Sequence, residues 1–495
     1  MLNVISKYFY TIKDLKIRQI IYRFYRIIKP RKFTYADQCN SLINIDIAHI
    51  DVRNSSMIQL YKHFYFSDLS FFEFEKKKLS IVKACYVYSE IAFLAYPNSV
   101  RISKIISLYT SDFNSDYSGC DFLKKFLAIS VSGLESNIEY ETDGNHLIAN
   151  YEALIHYYVF MTVDRGPVFH YFKCLLKALN EQILKDGFHY EKSHMYHRVV
   201  LNHLLKIRKS LNYIKFDVGV LDFQISKMMY LERFISNDKI LIGFGDSVTG
   251  LYSFEEYFLN KRDFENNIYQ QYSSQVDDCL NVSLLSNNGL QILHMKSSGI
   301  VLFKADKYFG ALNFGEIKAK NVPGHSHSDE LALELYREEY RLIGSVGVST
   351  YENCPERLVQ RGCVSKSTVF DCHASNHSEV WSSFRVARKS TVELQDIIFD
   401  GANFKIKAKL VPAIRKRNFF RKVTIGRDFI RVSDEADCDF TSQYIIDESV
   451  KYETISSFEK SHATIFNTFE CSGVNKEQLK LFGSKQLATE IRIVL

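Results

Sequence analysis

The chain has 495 residues, of which 46% are hydrophobic and 24% are charged, as is typical of a globular protein rather than a disordered or fibrous one. At this length one hydrophobic core is rarely sufficient, so two domains are expected. The net charge of +6 is mild; it is compatible with an acidic ligand, and no nucleic-acid partner is predicted from it.

The cysteines and the lengths of the apolar runs exclude several further classes of protein. The ten cysteines are irregularly spaced and form no CxxC pair, so neither a disulfide framework nor a zinc ribbon is expected. No apolar run reaches the roughly eighteen residues of a transmembrane helix. Lys and Arg interrupt the N-terminal apolar residues, which is unlike a secretory signal. These features together predict a cytoplasmic protein.

Residues 1–55 are predicted to form a basic helical segment. Four basic residues fall near one helical face: Lys13, Lys16, Arg23 and Arg26. Isoleucines and Phe24 are available to the other face. A surface helix docked on the protein is the simpler interpretation, and weak contact with an anionic membrane surface is the alternative.

The rest of the chain shows two different patterns of apolar residues. Residues 56–280 contain apolar residues with a period of about 3.6, as in IVKACYVYSEIAFLAY, LIANYEALIHYYVFMTV and HRVVLNHLLKIRKSLNYI, and this predicts stacked antiparallel helix pairs. Residues 281–495 contain short, alternating, β-branched segments such as GLQILHM, STVELQDIIFD and KVTIGRDFIRVSDEAD. They predict an antiparallel β-sandwich.

Two polar clusters mark predicted helix starts in the first domain. Asn145 and His146 follow a glycine in DGNHLIANYEAL, near a helix N-terminus where backbone N–H groups favour an anion. A helix cap with a partly buried histidine is the simpler alternative. In KDGFHYEKSHMYH, Glu191 and Tyr196 flank a helix start that Ser193 is expected to cap, and a plain interhelix network is the alternative there.

A third cluster opens the stretch GHSHSDELALEL, residues 324–335. His325, His327 and Asp329 occupy every second position, so an extended strand would place all three side chains on one face. A polar triplet at the entry of an apolar strand is typical of a site. The spacing alone is compatible with a metal site, an acid–base site or neither.

Together, these clusters resemble the heparinase II/III family of polysaccharide lyases, in which an NH pair, a DG-x-x-x-E-x-S-x-x-YH segment and GHxHxD occur in this order. Further similarity lies in FGDS (244–247), STYENCPERLVQRG (349–362) and SEVWSSFRVARKS (378–390). The resemblance covers roughly residues 140–395. The N-terminal IRQIIYRFYR is similar to bacterial members associated with surface polysaccharides.

The resemblance implies an α+β multidomain fold, with an N-terminal α/α toroid followed by a C-terminal antiparallel β-sandwich and an acidic polysaccharide or oligosaccharide in the groove between them. The implied chemistry is β-elimination across a uronic-acid glycoside. Asn145 and His146 match positions that contact the uronate carboxylate. Tyr196 matches the tyrosine that acts as acid or base, and His325 matches the first histidine of GHxHxD. Two residues are assigned to substrate binding beside them: Glu191 and Arg361.

Relatives of this family hold a structural zinc, and here the sequence departs from their pattern. The second histidine, His327, is present, but the other two ligand positions fall on Ser345 and Lys366, which are poor zinc ligands. No metal or other cofactor is therefore expected, and His327, Asp329 and Lys366 are predicted to support the strand that presents His325. Other ligands remain available nearby: Asp371, His373 and His377.

Two alternatives to a lyase stay open. A uronyl C5-epimerase of capsule or O-antigen biosynthesis would share the fold and the abstraction of the C5 proton, but it would return the proton without expelling O4. A non-catalytic glycan-binding protein of the same fold is the other alternative.

Overall fold

The structure is a computed structural model. It describes residues 2–29, 94–111, 121–248, 255–373, 376–454, 456, 458–465, 474–485 and 487–495. The predicted helical pattern between residues 30 and 93, including most of IVKACYVYSEIAFLAY, lies outside the described residues.

Two short helices begin the chain, α1 (Leu2–Ile12) and α2 (Ile17–Ile28). The sequence pattern predicts one helical face across this segment, but a turn separates the two helices. Asp14 in that turn forms an ion pair with Lys389 of the C-terminal half, so the N-terminal segment is tied to the second domain.

The helical part continues with eight further described helices, of which the third and the fifth begin at the two predicted helix starts. These are α3 (Ala95–Ser111), α4 (Asp121–Glu135), α5 (Gly144–Phe160), α6 (Gly166–Gln182), α7 (His194–Tyr213), α8 (Gly219–Ile235), α9 (Glu255–Phe264) and α10 (Gln270–Cys279), with a π-helical turn at Glu265–Tyr269. Helix α5 is buried on nearly all sides and packs against α3, α6 and α7, so it forms the centre of the helical core.

The C-terminal part is built from antiparallel strands. They are β1 (Val282–Asn287), β2 (Leu290–Met295), β3 (Ile300–Ala305), β4 (Tyr308–Asn313), β5 (Leu333–Arg337), β6 (Tyr340–Gly344), β7 (Val369–Asp371), β8 (Val380–Ser382), β9 (Arg385–Val386), β10 (Thr391–Phe399), β11 (Phe404–Val411), β12 (Phe419–Ile425), β13 (Phe429–Ala436), β14 (Phe440–Ile446), β15 (Lys451–Thr454), β16 (Phe458–Ile465), β17 (Val474–Gly483) and β18 (Thr489–Val494). A short helix, α11 (Pro355–Gln360), lies between β6 and β7.

Two sheets form the sandwich. In the described part of the chain, one runs β1-β2-β3-β4-β5-β6-β14-β17-β16, with β7 also paired to β14, and the other runs β10-β11-β12-β13-β18-β15. Strands β11 and β12 alternate buried and less buried residues along their length, as strands with one face against a core do. Their inward side chains, such as Ile406 and Val423, share a core with Leu333 and Ile446 of the first sheet.

The helical part and the first sheet share a second apolar core. Phe188, Leu231 and Phe244 pack there with Leu302 and Phe309 of the sheet. The predicted fold class is therefore confirmed: a helical N-terminal part followed by an antiparallel sandwich. Among the described helices, none combines the length and apolar character required to cross a bilayer.

Candidate active site

The start of α5 brings Asn145 against Glu191. Gly144 has a φ of +62°, and a Cβ at this position would collide with the Glu191 carboxylate, so only glycine permits this approach. The backbone N–H of Asn145 donates to Glu191 Oε1 at 3.2 Å, and its Nδ2 donates to Oε2 at 3.3 Å. The predicted anion at this helix N-terminus is thus supplied by the protein's own carboxylate.

The start of α7 fixes Tyr196. Ser193 caps the helix as predicted, because its hydroxyl accepts from the Tyr196 backbone N–H at 3.3 Å. The same hydroxyl donates to the Asp246 carbonyl oxygen at 2.6 Å. The cap therefore couples the helix to the segment FGDS, and the Tyr196 side chain is almost completely buried.

The GHSHSD stretch does not form the predicted strand. Pro323–His325 is a 3-10 turn, and β5 begins only at Leu333, so the prediction of a strand through these residues is wrong. His325 and His327 nevertheless reach one common partner, the carboxylate of Asp246, at 2.9 Å and 2.6 Å. Gly245 (φ +60°) lets this segment lie directly against the His325 carbonyl.

Asp246 is the centre of this network. Arg357 binds its two carboxylate oxygens in a bidentate pair, at 2.6 and 2.7 Å, and both side chains are fully buried. Burial alone would raise the pKa of Asp246, but the charge of Arg357, with His327 and His325, outweighs burial and holds the pKa well below its usual range. The ionised carboxylate therefore accepts Nδ1–H of His325, which leaves Nε2 facing the cleft.

His325 and Tyr196 lie in direct contact. Their rings are stacked, with centroids 3.7 Å apart and an interplanar angle of 24°. The Tyr196 hydroxyl is 3.3 Å from the hydroxyl of Tyr351. Phe384 packs edge-on against His325 at 6.3 Å. A single sugar ring can therefore meet both the phenol and the imidazole.

These side chains line a cleft of about 710 Å³ between the helical part and the sandwich. Five of the predicted site residues line it: Asn145, His146, Glu191, Tyr196 and His325. His146 stacks on Tyr96 with centroids 4.4 Å apart and lies 3.3 Å from Glu139. Burial raises the pKa of Glu191 above its usual value, while His325 and the hydrogen bonds from Asn145 oppose that shift.

Arg361 lies elsewhere. Its guanidinium is fully buried and donates to the carbonyl oxygens of Pro323, Ser326 and Ser382. It does not line the cleft, so the predicted contact with substrate is replaced by support of the loop that carries His325.

His327, Asp329 and Lys366 are buried and do not line the cleft. Asp329 accepts from the Gly245 backbone N–H at 2.7 Å and from Asn313 at 2.8 Å. Burial lowers the pKa of the Lys366 ammonium to about 8, although the Asp329 carboxylate opposes this shift. Lys366 thus compensates Asp329 through its charge, since its Nζ has no hydrogen-bond partner within the described part of the chain.

The residues at the relatives' zinc position do not fit a zinc ion. The Ser345 hydroxyl points to the Gly243 carbonyl oxygen at 3.4 Å. The ammonium of Lys366 acts electrostatically on His327, and it repels a cation there. A different set of ligand atoms, from Asp371, Cys372 and His373, lies within 4.8 Å of one another near the surface. Arg415 is 3.5 Å from the Asp371 carboxylate in that set.

We expect chelation to leave activity and melting temperature unchanged, and Lys366→Ala to lower the free energy of unfolding by about 2–5 kcal/mol. The alanine leaves a cavity and a buried carboxylate, Asp329, without its compensating charge. Lys366→Met, which keeps the volume, should lose less. Metal content and denaturant unfolding provide the measurements. Zinc that leaves together with activity, in wild type and in a Cys372→Ser control, would contradict this expectation.

Several residues of the site were not identified from the sequence. Tyr351 lines the cleft, and Asp246 and Arg357 are buried beside it; they lie in FGDS and STYENCPERLVQRG, so the quoted motifs were the available signal. Two arginines line the cleft, Arg23 from α2 and Arg385 from β9. Neither forms an ion pair with a carboxylate among the residues that the structure describes.

Comparisons with known proteins identify the family and the fold. Two family models match the chain: Heparinase II/III N-terminus over residues 82–237, and Heparinase II/III-like, C-terminal over residues 288–477. Together they cover well over half of the sequence. Among curated protein sequences, none is similar enough to match.

Solved structures show the same fold. A heparinase III crystal structure has a TM-score of 0.62 at 14% identity, with 81% of this chain and 69% of that chain covered. A second heparinase III structure has a TM-score of 0.60 at 14% identity, with 93% of this chain and 83% of that chain covered. The heparan sulfate lyase HepC from Pedobacter heparinus reaches 0.54 at 13% identity, covering 94% and 83%. The fold, the order of its motifs and the two family matches lead to one conclusion: the chain belongs to the heparinase II/III-like family.

Proposed function

We propose that this protein is a polysaccharide lyase that cleaves a uronic-acid-containing glycan by β-elimination. The observation that carries the proposal is the meeting of Tyr196 and His325, stacked at 3.7 Å, with Asn145, His146 and Glu191 in one cleft. By analogy with the heparan sulfate lyase of similar fold, we expect the substrate to be an acidic glycan.

The reaction has three physical demands. The C5 proton of a uronate is weakly acidic because the neighbouring carboxylate is already negative, so that charge must be neutralised. A base must remove the C5 proton, and an acid must protonate O4 as the C4–O4 bond breaks and the C4–C5 double bond forms.

Asn145 and Glu191 are placed to meet the first demand. The Nδ2 of Asn145 is a neutral donor at the cleft wall, and burial shifts the pKa of Glu191 upward. A protonated Glu191 can donate a hydrogen bond to the uronate carboxylate instead of repelling it. His146, whose Nδ1 lies 3.3 Å from Glu139, presents its ring to the same wall.

Tyr196 and His325 are placed to meet the other demands. In this proposal the phenolate of Tyr196 takes the C5 proton and the phenol then returns a proton to O4. Arg357 interacts electrostatically with Tyr196 as well as with Asp246, and a nearby cation stabilises negative charge on the phenolic oxygen. His325 presents Nε2 to the same sugar while Asp246 holds its orientation.

An acidic substrate is supported by two arginines of the cleft lining, Arg23 and Arg385. Burial, followed by repulsion from Arg385, lowers the pKa of Arg23. Two like charges that repel one another at a cleft mouth are relieved by an anion between them. Uronate carboxylates or sulfates on neighbouring sugars would supply such anions.

The test is incubation with a panel of uronate glycans in deuterated water. A lyase produces the absorbance of a 4,5-unsaturated uronate together with shorter chains. Deuterium at C5 without cleavage would instead identify a C5-epimerase. If the protein binds glycans of a broad panel but forms neither product, the lyase proposal is wrong and the protein is a glycan-binding protein.

A further inference from the structure

The N-terminal helix α2 lies on the protein in an unusual orientation, with its polar face inward. Lys16 and Arg18 both bind the buried carboxylate of Asp143, at 2.9 and 2.7 Å, and both also bind Glu181. Gln19, on the same face, is completely buried. The basic residues of this helix are therefore used to fasten it to the helical domain.

Helix α1 is fastened to the sandwich side in the same way. The indole N–H of Trp381 donates to the Thr11 hydroxyl at 3.2 Å, and Lys389 binds Asp14 directly after the helix. Because polar contacts fix the inner faces of both helices, neither helix can turn its apolar face toward the protein without losing these ion pairs and hydrogen bonds.

The outer faces are apolar and exposed. On α2, Ile17, Ile21, Phe24 and Ile28 follow one another at helical spacing. The exposed set on both helices is 49 to 84% accessible: Val4, Ile5, Phe9, Ile12, Ile17, Ile21, Phe24, Ile27 and Ile28. Single exposed apolar side chains are ordinary, but a stripe of this kind on each of two adjacent helices marks an interaction surface.

Cationic side chains accompany these stripes. Residues 2–32 contain nine Lys or Arg against one acidic residue, Asp14. Lys7, Lys13 and Lys29 form no ion pair with a carboxylate among the described residues. An apolar helix face flanked by lysines without a carboxylate partner complements anionic lipid headgroups over an acyl layer.

We propose that α1 and α2 dock this protein on the surface of an anionic lipid bilayer, with their apolar faces inserted at the boundary between headgroups and acyl chains. At 11 and 12 residues, the helices are far shorter than the roughly 20 residues that span a bilayer, so they lie in its surface. Thr11, Leu15 and Arg23 of the same segment line the cleft. Docking therefore holds the cleft beside the membrane.

The experiment is co-sedimentation of the full chain with phosphatidylcholine vesicles and with vesicles that contain about one third phosphatidylglycerol, a fraction chosen for a clearly negative surface. Binding should favour the anionic vesicles and weaken with salt. Ile21→Ser with Phe24→Ser should lower the partition coefficient about tenfold or more, because apolar burial is lost. Lys13→Gln with Lys29→Gln should lower it about fivefold for each lysine removed.

The matched control is Ile398→Ser with Phe458→Ser, the same residue types at similar exposure, 54 and 52%, in the sandwich. This variant should bind vesicles like the wild type. Equal loss in both double variants, or no vesicle binding at low salt, would overturn the proposal. So would light scattering that shows a dimer dispersed by Ile21→Ser with Phe24→Ser, since the stripe would then be a contact between copies. The measurement uses no turnover, so it is independent of the lyase proposal.

Discussion

Tyr196→Phe is expected to lower kcat by about 10²–10⁴-fold, the range that a positioned acid–base group contributes. The substitution removes one oxygen and leaves the ring stacked on His325, so the fold and the cleft should persist. The measurement is kcat on the identified glycan, with thermal unfolding in parallel. C5 deuterium exchange should fall with elimination, because both need the same base.

Tyr351→Phe is the matched control. It removes the other hydroxyl of the 3.3 Å pair with Tyr196 and leaves a similarly placed ring. A smaller loss in Tyr351→Phe than in Tyr196→Phe is expected if Tyr196 moves the proton. Unchanged turnover in Tyr196→Phe, or the larger loss in Tyr351→Phe, would show that another residue performs this step.

The order of the two parts of the fold follows from local pattern. Apolar residues at helical spacing identify α5 and α7, and Ser193 marks the beginning of α7, because caps and periodicity act within a few residues. Alternation likewise identifies the hairpin strands from Leu290 to Asn313. These elements require no knowledge of distant contacts, so a single sequence was sufficient to predict them.

The local pattern fails where a distant partner decides the conformation. His325 and His327 were predicted on a strand, but their common partner Asp246 lies 79 and 81 positions away and draws them into a turn and a loop. Arg361 was assigned to substrate, and spacing does not distinguish an arginine that binds a ligand from one that binds backbone carbonyls. The family motifs identified side chains that meet in the cleft, and the structure shows which partners hold them there.

The N-terminal segment illustrates the same limit. Its apolar and basic residues do separate onto two faces of α2, but which face meets the protein depends on Asp143 and Glu181, more than one hundred residues further along the chain. Their carboxylates bind the basic face, so the apolar face turns outward. A helical pattern defines two faces and does not say which is buried.

Asp246→Asn is expected to have the second large effect, a loss of about 3–5 kcal/mol in the free energy of unfolding. The guanidinium of Arg357 is fully buried and its carboxylate partner is Asp246, so an amide leaves that charge uncompensated. The carboxylate accepts hydrogen bonds from His325 and His327 at its two oxygens, whereas the amide of Asn has only one acceptor oxygen. Denaturant unfolding measures the loss of stability, and kcat measures the effect of the lost hydrogen bond on catalysis.

A second buried pair separates stability from catalysis. Asp434 binds Arg421 in the sandwich core in another bidentate pair, here through Nε and Nη2, with 2.7 Å at both contacts and no exposure of either side chain. Asp434→Asn should therefore cost a similar free energy of unfolding while kcat stays near that of the wild type at temperatures where the variant is folded. Under the same conditions Asp246→Asn should lose about 10²-fold or more in kcat, because His325 loses the carboxylate that sets its tautomer and orientation. Equal kcat in the two variants would mean that Asp246 serves the fold alone, and that the orientation of His325 does not depend on its hydrogen bond to this carboxylate.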